Sequence, residues 1–218
     1  MLMYLHIVMG VLALISGALA FFARKGATLH KKSGLIFVIT MAVMSSTGAF
    51  LAAVNEEKLN IVAGCLTLYL VATAFLVVHR FNKFDRFYNS ILMMFGFIVG
   101  VCGMVVGVSL LNDGSSKIDG QPSEVLIVFS LIALLASVSD LRILFFGRLK
   151  GKQKFVRHIW RMGLGMFLAT ASFFLGQSQV IPEGIRNIYI LVTPVLLVLI
   201  LTIYWMVRVQ FWGLKTRI

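Results

Sequence analysis

Seven separate stretches of about 20 mainly apolar residues run through this sequence, near 2–22, 34–54, 59–79, 88–111, 124–146, 158–179 and 187–210. At about 1.5 Å of rise per residue, a helix of that length covers the roughly 30 Å of hydrocarbon in a bilayer. Inside lipid every peptide group needs a partner within the chain, and a helix supplies one. The expected fold is therefore all-α, a polytopic seven-transmembrane-helix bundle in which residues 1–218 form a single integral membrane domain. Composition agrees: 60% of the residues are hydrophobic and 13% charged, where soluble domains are about 45–50% apolar.

A net charge of +12 would suggest nucleic acid in a soluble chain, but its placement here points elsewhere. Of 20 Lys and Arg residues, 17 fall in or beside the first, third and fifth connections and the C-terminal segment. The opposite side holds only Lys58, Lys117 and Arg186, beside Glu56, Glu57, Asp113, Asp119, Glu124 and Glu183. Positive loops stay inside, so the N-terminus is expected outside and the C-terminus in the cytoplasm. The expected location is a bacterial inner membrane, with the lipid bilayer as partner and no nucleic acid. The densest basic cluster, GRLKGKQKFVR at 147–157, is placed to attract anionic lipid headgroups. The first apolar run has no Lys or Arg before it and Arg24 and Lys25 after it, so it reads as a retained helix rather than a cleaved signal.

Small residues indicate how the helices close. Gly96, Gly100, Gly103 and Gly107 recur on one stripe of span four, and Gly10, Ala13, Gly17 and Ala20 do so in span one; both stripes invite close helix packing. Thr193-Pro194 in span seven marks a kink. Cys65 and Cys102 lie inside spans three and four and read as buried free thiols. Ser45, Ser46 and Thr47 have no histidine or carboxylate expected at their depth and read as helix-interface residues. The longest connection, NDGSSKIDGQPSE at 112–124, reads as a short flexible loop.

Chemistry is expected at one membrane face. Asp140 is the acidic residue well inside a span, on a stripe with Ser130, Ala133 and Ser137. Span six begins with His158 and Arg161 at a similar depth, on a stripe continued by Gly165, Ala169, Ser172 and Gly176. An intramembrane carboxylate normally finds a partner, and Arg161 or His158 is the natural one. The pairing is either a structural ion pair between spans five and six or part of a site. His79 ends span three on the same side, and His30 sits in the first connection as a lid candidate. Histidines gathered with a carboxylate suit axial haem ligation or a transition metal. The cofactor-binding set is then His79, His158, Arg161 and Asp140, and the metal set His30, His79, His158 and Asp140. No HExxH or CxxCH spacing supports either. His6 lies toward the other face and stands apart.

His6, Gly10, Ala13, Gly17, Lys25-Gly26, His30 and Gly34 resemble the H…G…A…G…KG…LH…G pattern of an uncharacterised bacterial family of multi-pass membrane proteins, a domain of unknown function. RHIWRMGLGMFLATASFFLGQ is similar to a second stretch in such proteins. The resemblance implies a polytopic membrane protein with His6, His30 and His158 at motif positions, and it implies no activity. From the residues, three roles are open: a cofactor-handling or redox protein binding haem b or a metal, a carrier for a small anionic or amphipathic solute, and a non-catalytic accessory protein.

Overall fold

The computed structural model describes residues 1–79, 85–114, 117–147 and 149–213. Among them are seven helices long and apolar enough to cross a membrane: α1 (Leu2–Phe22), α2 (Thr28–Val54), α3 (Lys58–Val78), α4 (Asp85–Asn112), α5 (Ser123–Phe146), α6 (Gly151–Ala171) and α7 (Ile188–Trp212). The expected all-α polytopic bundle is present. Arg80, Lys83, Arg148, Lys215 and Arg217, which enter the charge count, lie outside the described residues.

α3 is the central helix, in contact with α2, α4, α5 and α6. It carries buried residues all round, among them Leu66, Tyr69, Leu70, Val71, Thr73 and Ala74. The peripheral helices instead show long aliphatic side chains outward; on α7, Leu196, Leu197, Leu199, Ile200 and Ile203 are all exposed. Such a surface is stable only against lipid tails, where exposed apolar area carries no hydration penalty.

Close helix approach follows the small residues. A Cβ at Gly100, Gly103 or Gly107 would stand within 3 Å of Leu134, Ser130 or Ile127 of α5, and one at Gly96 would strike the Tyr69 ring of α3. Gly17 of α1 faces Met166 and Phe37 in the same way. On α6, Gly165 and Ala169 of the expected stripe fit this pattern. Ser172 and Gly176 depart from it, because Ser172–Gly176 is a π-helical turn whose ends are exposed. Both cysteines are free, but Cys102 is exposed on the apolar surface of α4 rather than buried.

Two helices extend beyond their apolar runs. α2 starts at Thr28 and α6 at Gly151, each about a turn and a half or more before the hydropathy rises. The extra turns hold Lys31 and Lys32 in α2, and Lys152 and Lys154 in α6. Long cations can continue a helix past the hydrocarbon edge by extending their stems to water. His30 therefore sits on the first turn of α2 rather than in a loop.

The 112–124 connection contains a hairpin. Lys117–Ile118 pairs antiparallel with Gln121–Pro122, and Asp119 and Gly120 both have positive φ, 50° and 76°. That Asp-Gly pair makes the two-residue turn whose twist matches paired strands. Ile118 is buried against Leu59, Val62 and Leu126. Asp119 Oδ2 accepts from the Leu59 N–H at 2.7 Å, satisfying one of the donors that α3 leaves open at its start.

Candidate functional site

Two polar groupings lie at the membrane face bearing the α1–α2, α3–α4 and α5–α6 connections, on either side of α3. The first is a buried ion cluster. Asp140 reaches it from α5, where Ser130, Ala133 and Ser137 keep the same stripe narrow and buried. Arg161 is wholly enclosed, at 0% exposure. Its Nη2 donates to Asp140 Oδ1 (2.6 Å) and Ala136 O (2.9 Å), and its Nη1 donates to Asp140 Oδ2 (3.1 Å) and Thr73 Oγ1. Tyr69 Oη donates to Asp140 Oδ2 at 2.6 Å, and the guanidinium lies over the Tyr69 and Trp160 rings. This fork geometry, with its lone pairs filled, is what makes a buried ion pair tolerable.

Arg157, one turn earlier on α6, crowds the same carboxylate. Its Nη2 is 2.9 Å from Asp140 Oδ1, yet Nε, Nη1 and Nη2 are buried without a hydrogen-bond acceptor among the described residues. The cluster thus holds two guanidinium groups against one carboxylate.

The second grouping lines a cavity of about 350 Å³ walled by α1, α2, α3, α6 and α7. The walls are mainly apolar and aromatic, with Phe21, Phe37, Phe75, Phe155 and Trp205 among them. His30, His79 and His158 all line it. Each ring is anchored through Nδ1 to a helix carbonyl: His30 to Ala20 O (3.0 Å), His158 to Ala74 O (2.9 Å) and His79 to Phe75 O (3.2 Å). A neutral ring whose Nδ1–H is donated presents Nε2 as its lone pair. His79 also stacks on Phe75, with centroids 3.9 Å apart. Lys25 closes the rim: its Nζ donates to Ala20 O and Phe21 O at the end of α1 and lies 4.4 Å from the Trp205 ring centroid. Burial pushes its pKa down to about 8.

Asp140 and Arg161 pair as expected, but the four residues expected to form one site are divided. Asp140 and Arg161 are absent from the cavity lining, and His158 is bonded to Ala74 rather than to either. Residues three apart on a helix differ by about 60°, and α3 occupies that angle. Arg161 grips Thr73 on one side of α3 while His158 grips Ala74 on the other. Arg161 consequently points into the cluster and does not line the cavity. A metal set built from His30, His79, His158 and Asp140 also fails, since among the described residues no three His, Cys, Asp or Glu side chains are grouped to hold an ion.

His6 stands apart, as expected, but it has company. Its Nδ1 lies 2.9 Å from Met44 O and 3.3 Å from Thr47 Oγ1, with the ring over Gly48. α1 and α2 run in opposite directions, so the start of one meets the end of the other, and Thr47 does have a histidine at its depth.

Arg157, Tyr69, Lys25 and Trp205 were not singled out by sequence reasoning. Tyr69 carries a signal, a phenol midway along a mainly apolar span that also holds Thr67 and Thr73; by charge alone Arg157 and Lys25 are indistinguishable from other positive loop residues. No protein-family model, curated protein or solved structure matches this chain, so the resemblance noted in its sequence adds no known relative to these two groupings.

Proposed function

We propose that this protein binds a membrane-borne amphiphile in the histidine-lined cavity, on the cytoplasmic side of a bacterial inner membrane, as a ligand-handling or carrier protein. One observation carries the reading: His30, His79, His158, Lys25 and Lys31 are the polar side chains lining a cavity whose other lining residues are glycine, aliphatic or aromatic. Concave apolar walls with a few convergent polar groups are the usual form of a small-molecule site, and about 350 Å³ falls within the ~300–1,000 Å³ typical of them. An apolar tail would lie against the phenylalanines with its polar head at the imidazoles. The Asp140–Arg161 pair serves this role as scaffold, because both carboxylate oxygens and both terminal guanidinium nitrogens are already engaged and only Arg161 Nε is left without an acceptor among the described residues.

Gly34 supplies a clean test. It lines the cavity, and a Cβ there would meet nothing within 4 Å. Gly34→Leu should fill the cavity without disturbing α2. Organic extracts of the protein purified in mild detergent, analysed by mass spectrometry, are expected to contain an amphiphile near one per chain that Gly34→Leu loses while keeping its thermal stability. An extract identical for the two proteins would refute the reading.

Haem b is a second reading, favoured by the Nδ1 anchoring of three rings, since metal-ligating imidazoles characteristically donate their other nitrogen to a carbonyl or carboxylate. Two of these imidazoles would hold the iron through Nε2 and Lys25 would pair with a propionate. A Soret band in the purified protein, lost in His158→Phe, would establish it.

A further inference from the structure

We infer that the head of the ligand is a hydrogen-bond donor on a flat aromatic ring, a phenol or hydroquinone, rather than an ether or quinone. This rests on the amphiphile reading and specifies its chemistry. The polar inventory of the cavity decides it. Among the described residues lining it there is no hydroxyl, amide or carboxylate side chain. Lys25 spends two of its three N–H groups on Ala20 O and Phe21 O, and the other lining cation, Lys31, is exposed at the cavity's edge. The strong acceptors are imidazole nitrogens. With Nδ1–H donated to Ala20 O and Ala74 O, His30 and His158 each turn an Nε2 lone pair to the cavity, and among the described residues neither Nε2 has a protein partner. A ligand head that displaces water from these acceptors loses their hydrogen bonds unless it brings a donor of its own. A ligand bearing only lone pairs would leave both acceptors unmet; one bearing hydroxyls would satisfy them.

The walls select the ring. His79 stacked on Phe75, with Trp205 and Phe21 beside them, offers faces and edges suited to a planar head. An aliphatic alcohol would satisfy the acceptors but gain nothing from stacking.

Three ligands of matched shape test this in nanodiscs, with binding read by quenching of tryptophan fluorescence: decylhydroquinone under anaerobic conditions, its dimethyl ether, and decylbenzoquinone. The hydroquinone is expected to bind about tenfold or more tightly than the ether, the value of one or two neutral hydrogen bonds. His30→Phe and His158→Phe should each reduce the hydroquinone-to-ether preference several-fold, so that loss of fold in one variant leaves the other to decide. Gly34→Leu should abolish all binding. Ether or quinone binding as tight as the hydroquinone, with Gly34→Leu still blocking it, would overturn the donor inference and leave the amphiphile reading standing. Binding of none of the three, or binding indifferent to Gly34→Leu, would overturn both. A purified protein whose cavity already holds haem would overturn the donor inference in favour of axial ligation.

Discussion

Replacing Asp140 by Asn removes the one negative charge that, among the described residues, faces two buried guanidinium groups, and its cost can be worked from the contacts. Nη2 of Arg161 and of Arg157 stand 2.6 and 2.9 Å from the same Oδ1. At a centre-to-centre separation of about 4 Å and an effective dielectric near 20, each unit attraction is about 4 kcal/mol. Removing one partner of a buried pair costs about 3–5 kcal/mol. Asn keeps one oxygen for Tyr69 but turns an NH2 toward an arginine. Asp140→Asn should therefore destabilise the protein by about 3–5 kcal/mol, measured by reversible unfolding in mixed detergent micelles. Arg157→Met should behave oppositely. It removes a buried cation that, among the described residues, has no hydrogen bond to set beside its 2.9 Å ion pair and that also repels Arg161, so the lost attraction is offset by relief of desolvation and repulsion and the change should fall within about 1 kcal/mol or be stabilising. Combining Asp140→Asn with Arg161→Met should cost less than the sum of the two. A loss below about 1 kcal/mol for Asp140→Asn, or equal losses for Asp140→Asn and Arg157→Met, would refute the assignment of Arg161 as the true partner.

Gly96→Ala should displace the Tyr69 ring, which a Cβ would approach at 2.7 Å, and should lower thermal stability more than Gly34→Leu does; melting curves of the two variants decide this. Lys25 gives a pH dependence: its folded pKa is lowered from 10.5 to about 8, so between those values the unfolded chain binds more protons and stability rises with pH. Lys25→Met should flatten that slope, and a slope unchanged by the substitution would assign it elsewhere. For orientation, a reporter active only outside the cytoplasm should be active when fused after residue 118 and silent after residue 152; the reverse pattern would invert the topology.

Hydropathy located the seven helices because length and apolarity are local properties, and each run carries them unaided. Helix ends were less legible for the same reason. Thr28–Ser33 and Gly151–Arg157 are polar, so nothing local distinguishes a helical extension with its cations reaching water from a loop. The Asp119-Gly120 hairpin had a local signature, yet its role depends on Leu59, 60 residues away. The candidate site was legible in part. Asp140 called for a cation, and depth chose Arg161. Arg157 was hidden among loop charges, since only the fold shows it beside Asp140. The division of the site was not readable, because a helical wheel gives the angle between His158 and Arg161 but not which helix enters it.

That entering helix ties the two groupings together. α6 holds α3 at consecutive residues, Arg161 at Thr73 and His158 at the Ala74 carbonyl. Rotation of α6 that freed His158 would strain the Arg161–Asp140 fork, whose five-donor geometry tolerates little displacement. The cluster therefore fixes the His158 ring and the direction of its Nε2. Asp140→Asn should weaken hydroquinone binding as well as stability, even though Asp140 does not line the cavity. Arg157→Met, which leaves the fork whole, should not. Titration of both variants at a temperature where each remains folded separates the two effects. Equal ligand affinity in Asp140→Asn and the unmodified protein would mean that the His158–Ala74 bond alone holds the ring, and that the ion cluster acts only in stability.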